Sequence, residues 1–383
     1  MKKAIYLITC SCAILLGSCG DPAVVINSTT ETERIPVVLT ENDIFKGNII
    51  LAFLDNEEKS VQEANELFLK GLNAFRNEKN LDSADYYLRK SILKEPSAKA
   101  YFELGNVYMD ERDFSAALLA FGVAEQLDYE PFSKILYNKS CLYALQEKNE
   151  MAGQYLEYAL QAGYNNLDHI SKDKDLEKFR DTYRYKQAIE KGLRGMSDAE
   201  NLFWLQFKKQ FAVMGMPLEL KTSVNEQELQ GLKYIPYDYE KYIAEMRDEE
   251  FSREVSKGFY YYARPYENEN FVAVVYIVKD EFMGEFAPLT YRMATFTHEG
   301  KLIDKKEIGG RENLSEPILV ATLNKNMTID VSLVQPIYEK DPNDHGYYEN
   351  PMTSSKVVGS TKFKVTKSGK IVQEEVKDLA NAN

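Results

Sequence analysis

The sequence predicts an α+β multidomain protein: an N-terminal all-α solenoid, then an antiparallel β-meander domain with two preceding helices. Two observations predict this. A pattern of small and aromatic residues recurs so that Ala84, Ala117 and Ala152 stand 33 and 35 residues apart, the period of stacked helical pairs. From Gly258 onward the chain breaks into short runs rich in β-branched and aromatic residues, separated by turn formers, as sequential strands do. The expected division is a signal peptide over 1–18, a tether with a short helix over 19–60, a solenoid of three repeats and a capping segment over 61–195, and a helix-plus-β domain over 196–383.

The first element is a leader. Lys2 and Lys3 precede the mostly apolar stretch Ala4 to Leu16, which is too short to span a bilayer and has the proportions of a signal peptide. Leu16-Gly17-Ser18-Cys19 resembles the lipobox of bacterial lipoproteins. That resemblance implies a diacylglyceryl group on the Cys19 thiol, cleavage before it and acylation of the new amino terminus. Several acyl chains on one residue give far stronger membrane attachment than one. Gly20 stands where an aspartate would hold such a protein in the inner membrane of enteric bacteria. The implied location is therefore the cell envelope, lipid-anchored in the outer membrane, with the periplasmic or surface face open.

Composition narrows the partners. The 383 residues include 47 basic and 60 acidic ones; without Lys2 and Lys3 the balance is 45 against 60, a net charge of −15. So acidic a chain argues against nucleic acid and against a polybasic hold on anionic lipid. Of four cysteines, Cys10 and Cys12 leave with the leader and Cys19 takes lipid. Cys141 stands alone, with no internal disulfide available. In an apolar helical context it reads as a small buried hydrophobe.

The tether begins polar, "DPAVVINSTTETER", and turns apolar at "NIILAF", which suits a short helix packed on the solenoid. In "YFELGNVYMDERDFSAALLAFGVAEQLD" the positions Leu104-Gly105, Tyr108, Phe114, Ala117, Phe121 and Ala124 match the tetratricopeptide consensus. The preceding unit supplies Gly71, Ala84, Leu88, Ser91 and Pro96. The third unit supplies Leu136, Ser140, Tyr143, Ala152, Leu156 and Ala159. Small residues sit where paired helices approach, large ones fill gaps between pairs, and such an array needs several units and a cap. "DHISKDKDLEKFRDTYRYKQAIEKGL" resembles that cap.

The tetratricopeptide resemblance implies a groove, lined by the first helix of each pair, that holds a protein or peptide segment. The matching positions are Asn65, Phe68, Leu72 and Phe75, then Lys99, Phe102, Asn106 and Met109, then Lys134, Tyr137 and Cys141. The carboxylate clamp of chaperone-binding members is matched only in fragments, Lys99 and Asn106. Phe68, Phe102 and Tyr137 suit an apolar segment, or this chain's own tether or second domain. Packing of those aromatics between helices is the alternative.

"GLRGMS", 192–197, marks a boundary. "SDAENLFWLQFKKQFA" then offers Ser197 as a cap and places Leu202, Leu205, Phe207 and Phe211 near one helical face, with Trp204 in a core. A second helix is expected from Tyr237 to Val255, from Tyr239, Tyr242, Ile243 and Met246. Eight strands come next: "FYYYAR", "FVAVVYIV", "LTYRMATFT", "KLIDKKEI", "PILVATL", "MTIDVSLV", "GSTKFKVT" and "KIVQEEV". Short links favour antiparallel hairpins, curling into a barrel-like half-shell. Two turns are alike, Thr297 to Lys301 and Thr366 to Lys370. Residues 200–376 resemble an uncharacterised group of Bacteroidetes envelope lipoproteins, which bears on fold.

Nothing in the motifs points to catalysis or a cofactor. His169, His298 and His345 are scattered, and "HEGKL" at His298 lacks the second histidine of a zinc helix. "DPNDHG", 341–346, resembles a calcium loop but has His345 at the fifth position and Met352 at the twelfth, where a glutamate is needed. No P-loop, dinucleotide fingerprint or nucleophile elbow occurs. The expectation is a non-enzymatic adaptor that holds an envelope protein or peptide segment. The alternative is a surface glycan- or nutrient-binding protein using the β-domain, with Tyr260, Tyr261, Tyr262, Tyr276 and Tyr291 as its aromatic face.

Overall fold

Residues 39–54, 60–196, 198–220, 231–248, 252–253, 257–280, 287–347 and 350–374 are described by a computed structural model. Cys19 and the leader lie outside them, as do Ser197 and Val255. These described residues all fall within one compact unit.

Three antiparallel helical pairs lead: α2 (Val61–Asn73, prolonged by a π turn at Ala74–Glu78) with α3 (Leu81–Lys94), α4 (Ala98–Asp110) with α5 (Phe114–Gln126), and α6 (Phe132–Leu145) with α7 (Asn149–Gln161). Side chains set several starts. Asn80, Ser97 and Asp113 each accept a hydrogen bond from the backbone N–H three residues on, satisfying donors that a helix end leaves open. The turn inside each pair ends on a left-handed residue, Lys79 (φ 56°), Arg112 (φ 65°) and Glu147 (φ 60°). These three keep the alanine spacing, so the repeat holds in the backbone as well as in the side chains.

Within the pairs, close approach explains the small residues. A Cβ on Gly71 would lie 2.8 Å from Leu88, and one on Gly105 would lie 2.5 Å from the Phe121 ring. In the third pair the Ser140 hydroxyl donates to Ala152 O at 2.8 Å. After α7 come the short α8 (Leu167–Lys172), α9 (Glu177–Arg180) and α10 (Tyr183–Arg194), which closes the array by packing on α7 through Gly192 against Leu160. The expected short helix is α1 (Gly47–Leu54). Its segment packs on the array: Tyr101 Oη donates to Ile44 O at 2.5 Å, and Arg89 meets Glu41 at 2.7 Å.

Next is α11 (Ala199–Lys209), capped by Asp198, which accepts from the N–H groups of Glu200 and Asn201. The expected second helix over 237–255 does not form among the described residues of that range. Two 3-10 turns, Tyr237–Tyr239 and Ala244–Met246, and the small hairpin β2 (Arg247–Asp248) with β3 (Ser252–Arg253) occupy its described part. Bonds from Tyr242 N to Tyr239 O and from Met246 N to Ile243 O are three residues long. Three-residue turns align residues i and i+3, so the apolar spacing that suggested an α-helix arises here from 3-10 geometry.

Eight strands form one antiparallel meander in which each pairs with the next: β4 (Lys257–Glu267), β5 (Val272–Asp280), β6 (Leu289–Phe296), β7 (Leu302–Gly310), β8 (Ile318–Leu323), β9 (Thr328–Tyr338), β10 (Met352–Val365) and β11 (Ile371–Glu374). β1 (Leu218–Glu219) adds to β8. The sheet is open, not a barrel, because β4 and β11 do not pair. It curls enough that Thr295 Oγ1 donates to Gly369 O at 2.7 Å, and Ile371 N to Asp304 Oδ2 at 2.9 Å. β7 meets β8 through the single pair Gly310–Leu319.

Strand alternation sorts the cores. Val272, Val274, Tyr276 and Val278 of β5 face a cluster with Trp204 and Phe207 of α11 and Phe211 just after it, while Ala273, Val275 and Ile277 face one shared with Ile329, Val331 and Phe363. The two like turns share their bonds: Gly300 and Gly369 sit at φ 80° and 86°, and Thr297 and Thr366 hydroxyls accept from the N–H groups of Lys301 and Lys370.

Candidate functional site

The first helices of the pairs carry the candidate site. Phe75 from the π turn that prolongs α2, Phe102, Asn106 and Met109 from α4, and Tyr137 from α6 line a cavity of about 320 Å³. Helical spacing puts them there, since 102, 106 and 109 share one face. With Lys134 and Cys141 of α6, which also line it, seven sequence-predicted groove residues thus come together. Asn65, Phe68 and Lys99 do not join them; they line a separate cavity of about 500 Å³ at the first pair.

The aromatics are held by internal partners. Phe102 stacks on Tyr129 with ring centroids 4.2 Å apart, and Tyr137 on Tyr164 at 4.3 Å. Both are buried, so packing between helices accounts for most of their surface and they offer the cavity only part of each ring. Phe75 is half-buried and Lys134 exposed.

The far wall comes from residues that pattern reading passed over. Tyr164, His169, Asp173 and Asp175, in and around α8, line the cavity opposite α6. Asp173 Oδ2 accepts from Tyr137 Oη at 2.7 Å, and Asp173 Oδ1 from Asp175 N at 3.0 Å. The capping resemblance located this segment but assigned it no contact with the groove; the spaced aspartates of "KDKD" were the available signal. A second cavity of about 300 Å³ adjoins, lined by Lys79, Leu81 and Arg112 and sharing Phe75, Met109, Asp110 and Asp175 with the first.

Electrostatics there are one-sided. Burial raises the Asp175 carboxyl above the ordinary range; Asp173 and Asp110 raise it further and Arg112 opposes them. Burial also pushes the Cys141 thiol well up, with Asp173 and Asp175 adding to the rise, which removes it as a nucleophile at neutral pH.

No protein-family model matches the chain, and no curated protein matches it significantly. Among the described residues no group of three or more His, Cys, Asp or Glu is placed to hold a metal, and no helix is long and apolar enough to cross a membrane. The 341–346 loop carries a one-turn helix, Pro342–His345, in which Asp341 accepts from Asn343 N. Tyr261, Tyr262, Tyr276 and Tyr291 are buried in the sheet cores and Tyr260 is half-buried, so they form no exposed aromatic face.

A charged network joins the array to the β-domain. Glu125 of α5 receives Lys139 Nζ at 2.7 Å and Arg264 Nη2 at 2.9 Å. Glu267 receives Lys208 Nζ at 3.2 Å and Tyr155 Oη at 2.7 Å. Lys208 Nζ also stands 4.2 Å from the Tyr158 ring centroid. Four of the five charged side chains are at most 2% exposed, and Glu267 is 11% exposed. Burial alone would raise both carboxyls, but the neighbouring cations outweigh it and hold them low. Burial pulls Lys139 down to about 8, against the opposing pull of Glu125. Burial lowers Lys208 as well, with Arg264 adding to it and Glu267 and Glu125 opposing. His298 completes the seam, its Nδ1 2.9 Å from Tyr158 Oη and its Nε2 2.7 Å from Asn268 O.

Proposed function

We propose that this chain is a lipid-anchored, non-enzymatic adaptor of a bacterial envelope, attached through Cys19, whose helical pairs are divergent tetratricopeptide repeats that hold a segment of another envelope protein. The observation that carries the reading is the cavity framed by Phe75, Phe102, Asn106, Met109 and Tyr137 on the first helices of the pairs. The repeat spacing of the turn residues Lys79, Arg112 and Glu147 supports the repeat assignment, and the lipobox supports the anchor. The glycan-binding alternative is less favoured, because four of the five tyrosines that suggested it are buried.

The test places a photo-crosslinking residue at Lys134, on the exposed rim of the cavity, in the full-length protein in intact envelopes. One defined protein adduct is expected, weakened by Phe75→Ser in a variant whose helical circular dichroism is unchanged. Adducts that ignore Phe75 remove the adaptor reading. Mass spectrometry of the amino-terminal peptide, with Cys19→Ala as control, tests the anchor.

A further inference from the structure

Resting on the adaptor reading, the chemistry of the groove narrows what it holds. The two adjoining cavities share four residues: Phe75 and Met109, which are apolar, and Asp110 and Asp175, which are acidic. The lining cations fall outside this shared wall, Lys134 in the first cavity alone and Lys79 and Arg112 in the second alone. Among the described residues neither Asp110 nor Asp175 forms a salt bridge, whereas Asp173 is engaged by Tyr137. The centre of the groove therefore pairs an apolar floor with two carboxylates outside any salt bridge, Arg112 acting on Asp175 only at longer range. Their combined volume of about 320 and 300 Å³ suits a few side chains of an extended segment and is too small for a helix, whose diameter is about 10 Å or more.

We propose that the occupant is an extended protein segment that presents a lysine or arginine side chain flanked by apolar residues, the cation lying against Asp110 and Asp175 and the apolar neighbours against Phe75 and Met109. This polarity is opposite to a terminal-carboxylate clamp. A guanidinium would meet both carboxylates at once through its planar fork, so arginine is preferred over lysine.

The test is selection of a displayed library of random dodecapeptides on the purified full-length chain. Enriched sequences are expected to carry arginine or lysine in a fixed register to apolar residues. A synthetic copy of one should lose affinity by about tenfold on Asp110→Asn with Asp175→Asn, as removal of a charge pair implies, and should weaken as salt rises. Phe75→Ser should weaken it as well. Enrichment without basic residues, or affinity unchanged by the paired Asn substitutions, overturns the assignment of a cationic segment. Phe75 dependence of those same peptides would keep the adaptor reading standing. No enrichment at all also overturns the inference, and the adaptor reading is then decided separately by the cross-linking experiment in envelopes.

Discussion

His298 shows how much one side chain can carry at the seam between the two parts of the molecule. Its neutral form, with the proton on Nε2, donates to Asn268 O, and the Tyr158 hydroxyl lies 2.9 Å from both His298 Nδ1 and His298 O, with one proton to share between them. Burial holds its pKa below the ordinary value of 6.5, with Glu267 opposing. The unfolded chain therefore takes up a proton near pH 6.5 and the folded chain only at a lower pH. The stability contributed by neutral His298 is present above 6.5 and is lost as pH falls toward the folded value. Glu125 and Glu267, held low, lose theirs only below their ordinary value of 4.5, so the two windows separate. Urea midpoints should decline between about pH 7 and 5.5 in the native protein. In His298→Gln, which keeps an amide donor toward Asn268 O, the decline should flatten; an equal slope in both would remove His298 as its source.

At the scale of elements, the closest helix contact is the sharpest test of the paired packing. Gly105→Ala would gain about 1 kcal/mol in helix propensity. The new methyl, however, would lie 2.5 Å from a carbon of the fully buried Phe121 ring. Overpacking costs about 1–3 kcal/mol, and so close an approach belongs at the upper end, leaving a net loss of about 2 kcal/mol visible as a lower thermal midpoint. Gly359→Ala, where the nearest atom is 3.9 Å away, is the near-neutral comparison. Elements with strong periodicity were legible: eight β-rich runs correspond to eight strands, and small residues such as Gly105 and Ala117 marked the helix pairs. The 237–246 segment was not, because two successive 3-10 turns mimic helical spacing. The groove was half legible. Phe75, Phe102, Asn106, Met109 and Tyr137 came from helix register, but the wall made by Asp173 and Asp175 depends on a tertiary fold-back that no local pattern encodes. The seam was illegible for a related reason: Glu125 in "VAEQLD" looks like any solvated helix end until the sheet covers it.

At the scale of the whole molecule, the seam should make array and sheet melt together. Lys139 and Arg264 share Glu125 as counter-charge, so Glu125→Gln leaves two buried cations facing each other. Breaking a buried pair costs about 3–5 kcal/mol, and here the cost falls on the junction. Calorimetry should show one cooperative transition for the native protein and two for Glu125→Gln; a single, merely shifted transition in the variant would mean that other contacts couple the parts.

The seam also implies an order of assembly. Its bonds join residues far apart in sequence, Glu125 to Arg264, Tyr155 to Glu267 and Tyr158 to His298, whereas helices pair with the next helix and strands with the next strand. Local contacts close faster than distant ones, and the array leaves the ribosome first. When it does, Glu125 already holds Lys139 as its own counter-ion, and on the later half Lys208 holds Glu267. Each half can therefore reach the docking step with its buried carboxylate neutralised, and the Arg264 guanidinium must still find Glu125 across the joint. The slow step in folding this chain is then the mating of two preformed halves, and a trapped intermediate would be one with both halves built and the Arg264 guanidinium still in water.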